Sequence, residues 1–510
     1  MKIYNKFFVL LICILMFSSC DHFEDINTNP DSPKDTPPSM LATGIILQIM
    51  KKDGNKGFIY DVAIAKQLTW NESAFGEQYN LIGTKDLDKH LVLTDCKDML
   101  AKAKAANEDV DGYEALSLFT KAYLLYYTSM DLGDIPYSDV TKGEEGGLRP
   151  KYDTQKEVMK QILTDLETAY TKFSAAKTTA FSGDPLFNGN KEKWKKFVTA
   201  FQLKVLINLS KKVDDTDLNI KSKFASIVSS GSLMTSSSDN FQLVYEDKAG
   251  MRYPFNDFSS NQCKYAMHSS VLIDMLKKYD DYRLFYYAEP SDSLLKLYPS
   301  DDSSAYIGID PSASFSTVSG MHGKKLYSPF NLRYTAKDHT VGEPLIRLGY
   351  GEQQLILAEA CLRGWITGSA ATYYKAGVKA NMEFTRDVTP DKYAHNRVMT
   401  DTYIADYLAS PIIQLNGDFD HDLGMIISQK YIAEFMQYPY EAWYDYRRTG
   451  LPVLPINPST SQNSTATDKI PFRYRYANRE YSFNRENLEE SLARQFNGSD
   501  DINDVMWILK

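Results

Sequence analysis

Two stretches of the chain set aromatic rings beside amides and a carboxylate. Trp70, Asn71 and Tyr79 fall within LTWNESAFGEQYN (residues 68–80), and Tyr253, Asn256, Asp257 and Phe258 within MRYPFNDFSSNQ (residues 251–262). A flat ring can stack on the C–H face of a sugar while amides and carboxylates take its hydroxyls. That chemistry is capture, without bond making. Tyr306 and Phe315 are weaker candidates of the same kind.

Nothing in the sequence singles out a catalyst. The seven histidines are scattered, with no HExxH pair, no GxSxG elbow and no GxxxxGK[ST] phosphate loop. Acidic residues are plentiful, but no two are marked as a glycosidase pair. In NGDFDHD (residues 416–422) Asp418, Asp420 and Asp422 alternate like the start of a calcium loop. Gln429 stands where such a loop needs glutamate, so a helix cap is the expected role. No enzyme, metal or cofactor is expected.

Composition narrows the class. The 510 residues carry a net charge of −9 with 24% charged side chains and no lysine or arginine cluster, which argues against nucleic acid as partner. Of the 13% aromatic residues, tyrosine is the commonest, with 35 copies. Cys96, Cys263 and Cys361 are far apart and odd in number, which predicts free thiols, mostly buried.

The N-terminus reads as a targeting segment. Lys2 and Lys6 precede an apolar run, Phe7 to Phe17, too short to span a bilayer. Ser18, Ser19 and Cys20 then resemble a lipobox, which implies cleavage before Cys20 and a lipid on its sulfur. Residues 1–19 are expected to be the signal peptide. Residues 20–38, rich in Pro, Asp and Asn, form the expected tether.

The positioning elements are helices. Apolar residues recur at helical spacing through Ser39–Leu68 (two segments, Ser39 as a plausible N-cap), Leu91–Ala106, Gly112–Met130, Thr154–Phe173, Lys191–Lys211 and Gly351–Arg363. Residues 231–340 lack long periodic runs and are expected to be an irregular insertion in one unit spanning 39–510. Near the C-terminus, Ile427, Tyr431 and Phe435 share a helical face. Pro439 should end that helix, and a second should run from Tyr440 to Arg448 with Gly450 as cap. Asp445 and Arg448, three apart, can pair.

The string EAWYDYRRTGLPVL in that second helix resembles the hallmark of the SusD/RagB family, nutrient-binding outer-membrane lipoproteins of Bacteroidetes. FEDINTNPDSP after Cys20, GDIPYS (residues 133–138), KEKWKKFVTAFQLKVLINLSK (191–211), GEQQLILAEACLRGW (351–365) and IPFRYRYANREYSFN (470–484) are similar to further family segments, in the same order. Gln202 and Lys204 stand where the family often has arginine, and Ala477 where it has proline. The resemblance implies a mostly α fold, with tetratricopeptide-like helix pairs as scaffold, long irregular loops and little β structure. It implies a surface lipoprotein of the outer membrane that delivers oligosaccharide to a SusC-like TonB-dependent transporter. The alternative is a RagB-like lipoprotein of a peptide uptake system.

Overall fold

A computed structural model describes residues 36–50, 57–143, 146–256 and 264–510. The helices, in chain order, are α1 (Pro38–Met50), α2 (Gly57–Ile64), α3 (Leu91–Ala105), α4 (Val110–Leu132), α5 (Gln155–Ala175), α6 (Lys191–Asn208), α7 (Ile220–Ser229), α8 (Ser270–Lys278), α9 (Leu284–Tyr287), α10 (Phe315–Gly323), α11 (Tyr350–Leu362), α12 (Ala370–Asp387), α13 (Asp401–Ala409), α14 (Phe419–Ala433), α15 (Tyr440–Thr449), α16 (Asn478–Phe483) and α17 (Arg485–Phe496). The strands are β1 (Leu68–Trp70), β2 (Thr84–Lys85), β3 (Phe241–Leu243), β4 (Ala266–His268), β5 (Leu345–Leu348) and β6 (Arg475–Tyr476). They form three two-stranded ribbons: β1 with β4 and β3 with β5 antiparallel, β2 with β6 parallel. The fold is thus mostly α, with a tetratricopeptide-like scaffold. Neighbours α3–α4, α4–α5, α5–α6 and α11–α12 pack against each other.

Local chemistry explains where helices begin and end. The Asn190 side chain accepts from the Glu192 and Lys193 N–H groups at the start of α6, and Thr154 accepts from Glu157 N–H at the start of α5. Helix α1 starts one residue before the expected cap Ser39. Pro38 occupies its first position, where a missing N–H costs nothing. Gly364 and Gly450 follow α11 and α15 with φ of 66° and 76°, the left-handed conformation that ends a helix. Asp418 caps α14 by accepting from His421 N–H at 2.8 Å. Asp422 accepts from Asn416 and Gly417 N–H at 2.8 and 3.0 Å, so these aspartates hold a turn.

One apolar core runs through the helices, and its centre is aromatic. Trp194 stacks on Phe173 at 5.4 Å between centroids and meets Phe119 edge-on at 5.7 Å. Its indole N–H donates to Asp184 Oδ2 at 2.8 Å, and Asp184 also accepts from Leu186, Phe187 and Gly189 N–H. Replacing Asp184 with alanine strands a buried indole donor and unties the loop. The expected loss is about 2 kcal/mol in urea unfolding; a loss under about 0.5 kcal/mol would count against this role.

Cys96 is buried and Cys361 half-buried, both with free thiols. Cys20 and Cys263 lie outside the described residues. Among the described residues no helix is long and apolar enough to cross a membrane.

Candidate functional site

The antiparallel pairing of β1 and β4 sets Trp70 opposite Ala266. Asn71 N–H donates to the Tyr265 carbonyl at 3.0 Å, which carries the pairing one step further. The loop after β1 is therefore held against residues 264–265. Lys66, buried with φ of 57°, secures that loop from beneath. Its ammonium donates to the carbonyls of Glu77 and Gln78 and to Asn80 Oδ1. Burial lowers its pKa to about 7. Because the folded pKa lies below the unfolded 10.5, the folded protein binds fewer protons between these values. Wild-type stability relative to Lys66→Met should therefore rise as pH goes from 7 to 10, measured by urea unfolding at each pH. A flat or falling difference would refute the assignment.

The pairing produces a row of rings. Trp70 lies 5.8 Å from Tyr265 and 6.4 Å from Phe75, which lies 5.0 Å from Tyr60. On the other side Tyr265 stacks on His322 at 6.3 Å, and His322 on Tyr327 at 5.0 Å with 16° between planes. Tyr265, His322, Tyr327 and Phe75 are half-buried, and Tyr60 is 41% exposed. Polar groups sit alongside. Ser319 donates to Asn71 Oδ1 at 2.7 Å, and His322 Nε2 lies 3.2 Å from the Lys264 carbonyl.

Three expected stacking residues are corrected. Trp70, Tyr79 and Tyr253 are only 2%, 3% and 1% exposed. Trp70 packs beneath the ring row, so it positions Phe75 and Tyr265 without offering a face of its own. Tyr79 donates its hydroxyl to the Ala313 carbonyl at 3.1 Å and pins two loops together. Tyr253 packs among Tyr245, Phe255 and Tyr334, away from the row. The weaker candidate Tyr306 is buried against Phe285, its hydroxyl donating to the Ser300 carbonyl. Asn71 does stand at the row. Asn256 closes a short turn, Pro254–Asn256; Asp257 and Phe258 lie outside the described residues. Sequence reasoning missed Tyr265, His322 and Tyr327. The signal available was their placement within the irregular stretch, without long periodic runs to mark them as buried.

Tyr60 also stands on the rim of a large cavity of about 840 Å³ between α1–α4 and the C-terminal motif. Its walls are tyrosine-rich and charged. Lys85 lies 3.4 Å from Asp131 and over the rings of Tyr440 and Tyr474 at 5.1 and 4.8 Å. Tyr444 donates to Asp131 at 2.7 Å. Arg347 stacks on Tyr438 at 4.7 Å. Burial, with Lys85 and Arg347 nearby, lowers the pKa of Lys89.

The motif residues themselves are structural. Trp443 donates to the Pro471 carbonyl, Arg447 to those of Met130 and Phe472, and Glu441 accepts from Tyr127 and Lys204. Arg448 donates to Asp445 at 2.6 Å, the pair expected from their spacing, and also to Glu359. Among the described residues no three acidic, imidazole or thiol side chains come together to hold a metal ion.

Comparison with known proteins identifies the family and fold. A family model described as starch-binding and associating with the outer membrane matches residues 30–477. A SusD homologue from Bacteroides fragilis superposes with a TM-score of 0.89 at 47% identity, over 93% of this chain and 100% of that one. A second B. fragilis SusD homologue gives 0.83 at 31% identity, again over 93% and 100%. A chitin-binding SusD homologue from Flavobacterium johnsoniae, at 20% identity and a TM-score of 0.69 over 92% of this chain and 98% of that one, shares the fold. No curated protein sequence matches the chain. The chain belongs to the SusD-like family of nutrient-binding proteins associated with the outer membrane.

Proposed function

We propose that this protein captures oligosaccharide at the cell surface, holds it without cleaving it, and passes it to a SusC-like TonB-dependent transporter. The observation that carries the reading is the half-buried row Tyr265–His322–Tyr327 beside Asn71 and Ser319. The half-buried rings leave their edges and the outer faces of the stack for a sugar to rest on, and the amide and hydroxyl can meet its hydroxyl groups. Asn256, Asp257 and Phe258 precede Tyr265 in the chain, and we assign them to the same site as further ligand contacts. Lipid attachment at Cys20, with residues 21–38 as tether, would hold the folded body at the membrane. The family's association with the outer membrane supports that location.

The test is a calorimetric titration of residues 21–510 with a panel of oligosaccharides and with a peptide digest, while product release is followed. Saturable micromolar glycan binding without cleavage is the expected result. Binding of peptide alone would replace this reading with peptide uptake. Turnover would overturn it.

A further inference from the structure

Two hydrogen bonds fix the polarity of the ring row. His322 Nε2 lies 3.2 Å from the Lys264 carbonyl. A carbonyl oxygen only accepts, so Nε2 carries the proton of the neutral imidazole and Nδ1 keeps its lone pair. Among the described residues nothing donates to that Nδ1. Tyr265 and Tyr327 stack against the imidazole with 29° and 16° between planes, which leaves the edge of the ring for a ligand.

Asn71 is fixed in the opposite sense. Ser319 donates to its Oδ1 at 2.7 Å, so the Nδ2 group is what the side chain has left to offer, as a donor. Ser319 and His322 are three apart on α10 and share a face of that helix. The Asn71 N–H is tied to the Tyr265 carbonyl at 3.0 Å. One fixed donor and one fixed acceptor therefore stand at the same end of the row.

We propose, given that the row holds glycan, that His322 is a specificity-determining residue: its Nδ1 accepts from a sugar hydroxyl that itself accepts from Asn71, and proton uptake at Nδ1 weakens the hold on a neutral glycan. A hydroxyl donates and accepts at once, whereas an ether or carboxylate oxygen only accepts and leaves Nδ1 unpaired. Imidazole is the side chain that changes charge between pH 5 and 8. Once it is protonated, Nδ1 and Asn71 both donate. The hydroxyl hydrogen then loses its acceptor, and a carboxylate-bearing sugar becomes the better partner. The charged neighbours are Lys264, Glu72 beside Asn71, Lys324 and Lys325 after α10, and Asp292, which Lys325 takes at 2.8 Å. Tyr265 and Tyr327 are the other titratable groups against the imidazole. Burial, with Asp292 nearby, raises the Tyr327 hydroxyl above its usual range, so it stays neutral throughout.

The experiment uses the mature chain, residues 21–510, labelled with nitrogen-15 in histidine. Long-range proton–nitrogen correlation at pH 7.5 should show His322, identified by its absence in His322→Gln, as the Nε2–H tautomer. Maltoheptaose and chitohexaose as neutral probes, and oligogalacturonate as an acidic one, are then titrated by calorimetry at pH 7.5 and pH 5.5. The neutral probe that binds should do so about fivefold more weakly at pH 5.5, the effect of one lost hydrogen bond. Oligogalacturonate should not weaken with it. His322→Gln, which takes up no proton, should bind the neutral probe equally at the two pH values. An Nδ1–H tautomer, neutral-probe affinity that does not change with pH in the wild type, or a pH effect that survives in His322→Gln would overturn the proposal and leave glycan capture standing. Binding of none of the three probes would remove glycan capture and the proposal together.

Discussion

Truncating His322 and Tyr327 together to alanine should weaken oligosaccharide binding by about 30-fold or more. Two central aromatic contacts are together worth roughly 2 kcal/mol or more at such a site. The rings stack at 5.0 Å with 16° between planes and are half-buried, so they present a surface while leaning on each other. Tyr327 packs on the rim of a small satellite cluster of Met267, Ile309 and Val318, outside the main core. Their loss should therefore leave the unfolding midpoint nearly unchanged, which separates a binding defect from a folding defect. Calorimetry on the double variant gives the affinity, and circular dichroism gives the fold. Unchanged affinity in a folded variant would move the site away from the row, with the 840 Å³ cavity the next place to test. Trp70→Ala is not an equivalent test. That ring is in the core, so its removal should cost about 3–5 kcal/mol of stability whatever it does to binding.

Replacing Arg448 with alanine should cost about 3 kcal/mol, since it takes a buried partner from two carboxylates at once, leaving Glu359 to Arg363 and Asp445 to Lys430. Arg448 joins α15 to α11 by donating to Glu359, and it donates to Asp445 on its own helix. All three side chains are buried. Adding Glu359→Gln to the variant should recover part of the loss, because it removes a fully buried charge that would keep Arg363 but not Arg448. The same network predicts acid sensitivity. Burial works against the charged forms of Glu359 and Asp445. Even so, Arg448 beside Glu359, and Lys430 and Arg448 beside Asp445, hold both carboxyls below the usual range. Folded pKa values below the unfolded ones supply stability above about pH 4 that is lost as pH falls through the folded values. Urea unfolding of both variants from pH 7 to pH 3 checks this. A loss below about 1 kcal/mol for Arg448→Ala at pH 7 would show that the network is not holding the two helices together.

Local features were legible because they depend on neighbours within a turn or two. The Asp445–Arg448 pair lies three residues apart on one helix, so spacing alone predicts it. The caps at Gly364 and Gly450, and the break at Pro439 before α15, follow from permitted φ and the missing proline donor. The aspartates of NGDFDHD were recognisable as a cap by the same reasoning. The other half of the Arg448 clasp was not readable. Glu359 lies 89 residues away, and nothing in LILAEACL marks it as that partner.

The sequence by itself determined the mostly α class, the boundaries of α3–α6, α11 and α15 to within a few residues, and the family segments that carry the scaffold; helices α8–α10 lie in the stretch expected to be irregular. Apolar periodicity and capping are short-range, and each helix records its own. Which aromatic rings face outward was decided only by tertiary structure. Trp70 turns inward because β1 pairs with β4, a strand 196 residues further on, while Tyr79 turns inward to reach the Ala313 carbonyl across 234 residues. The same pairing raises Tyr265 to the surface and brings it against His322 and Tyr327. A tyrosine in an irregular loop carries no periodic mark of its burial. Its exposure depends on which distant segment covers it, and that is settled when the chain closes.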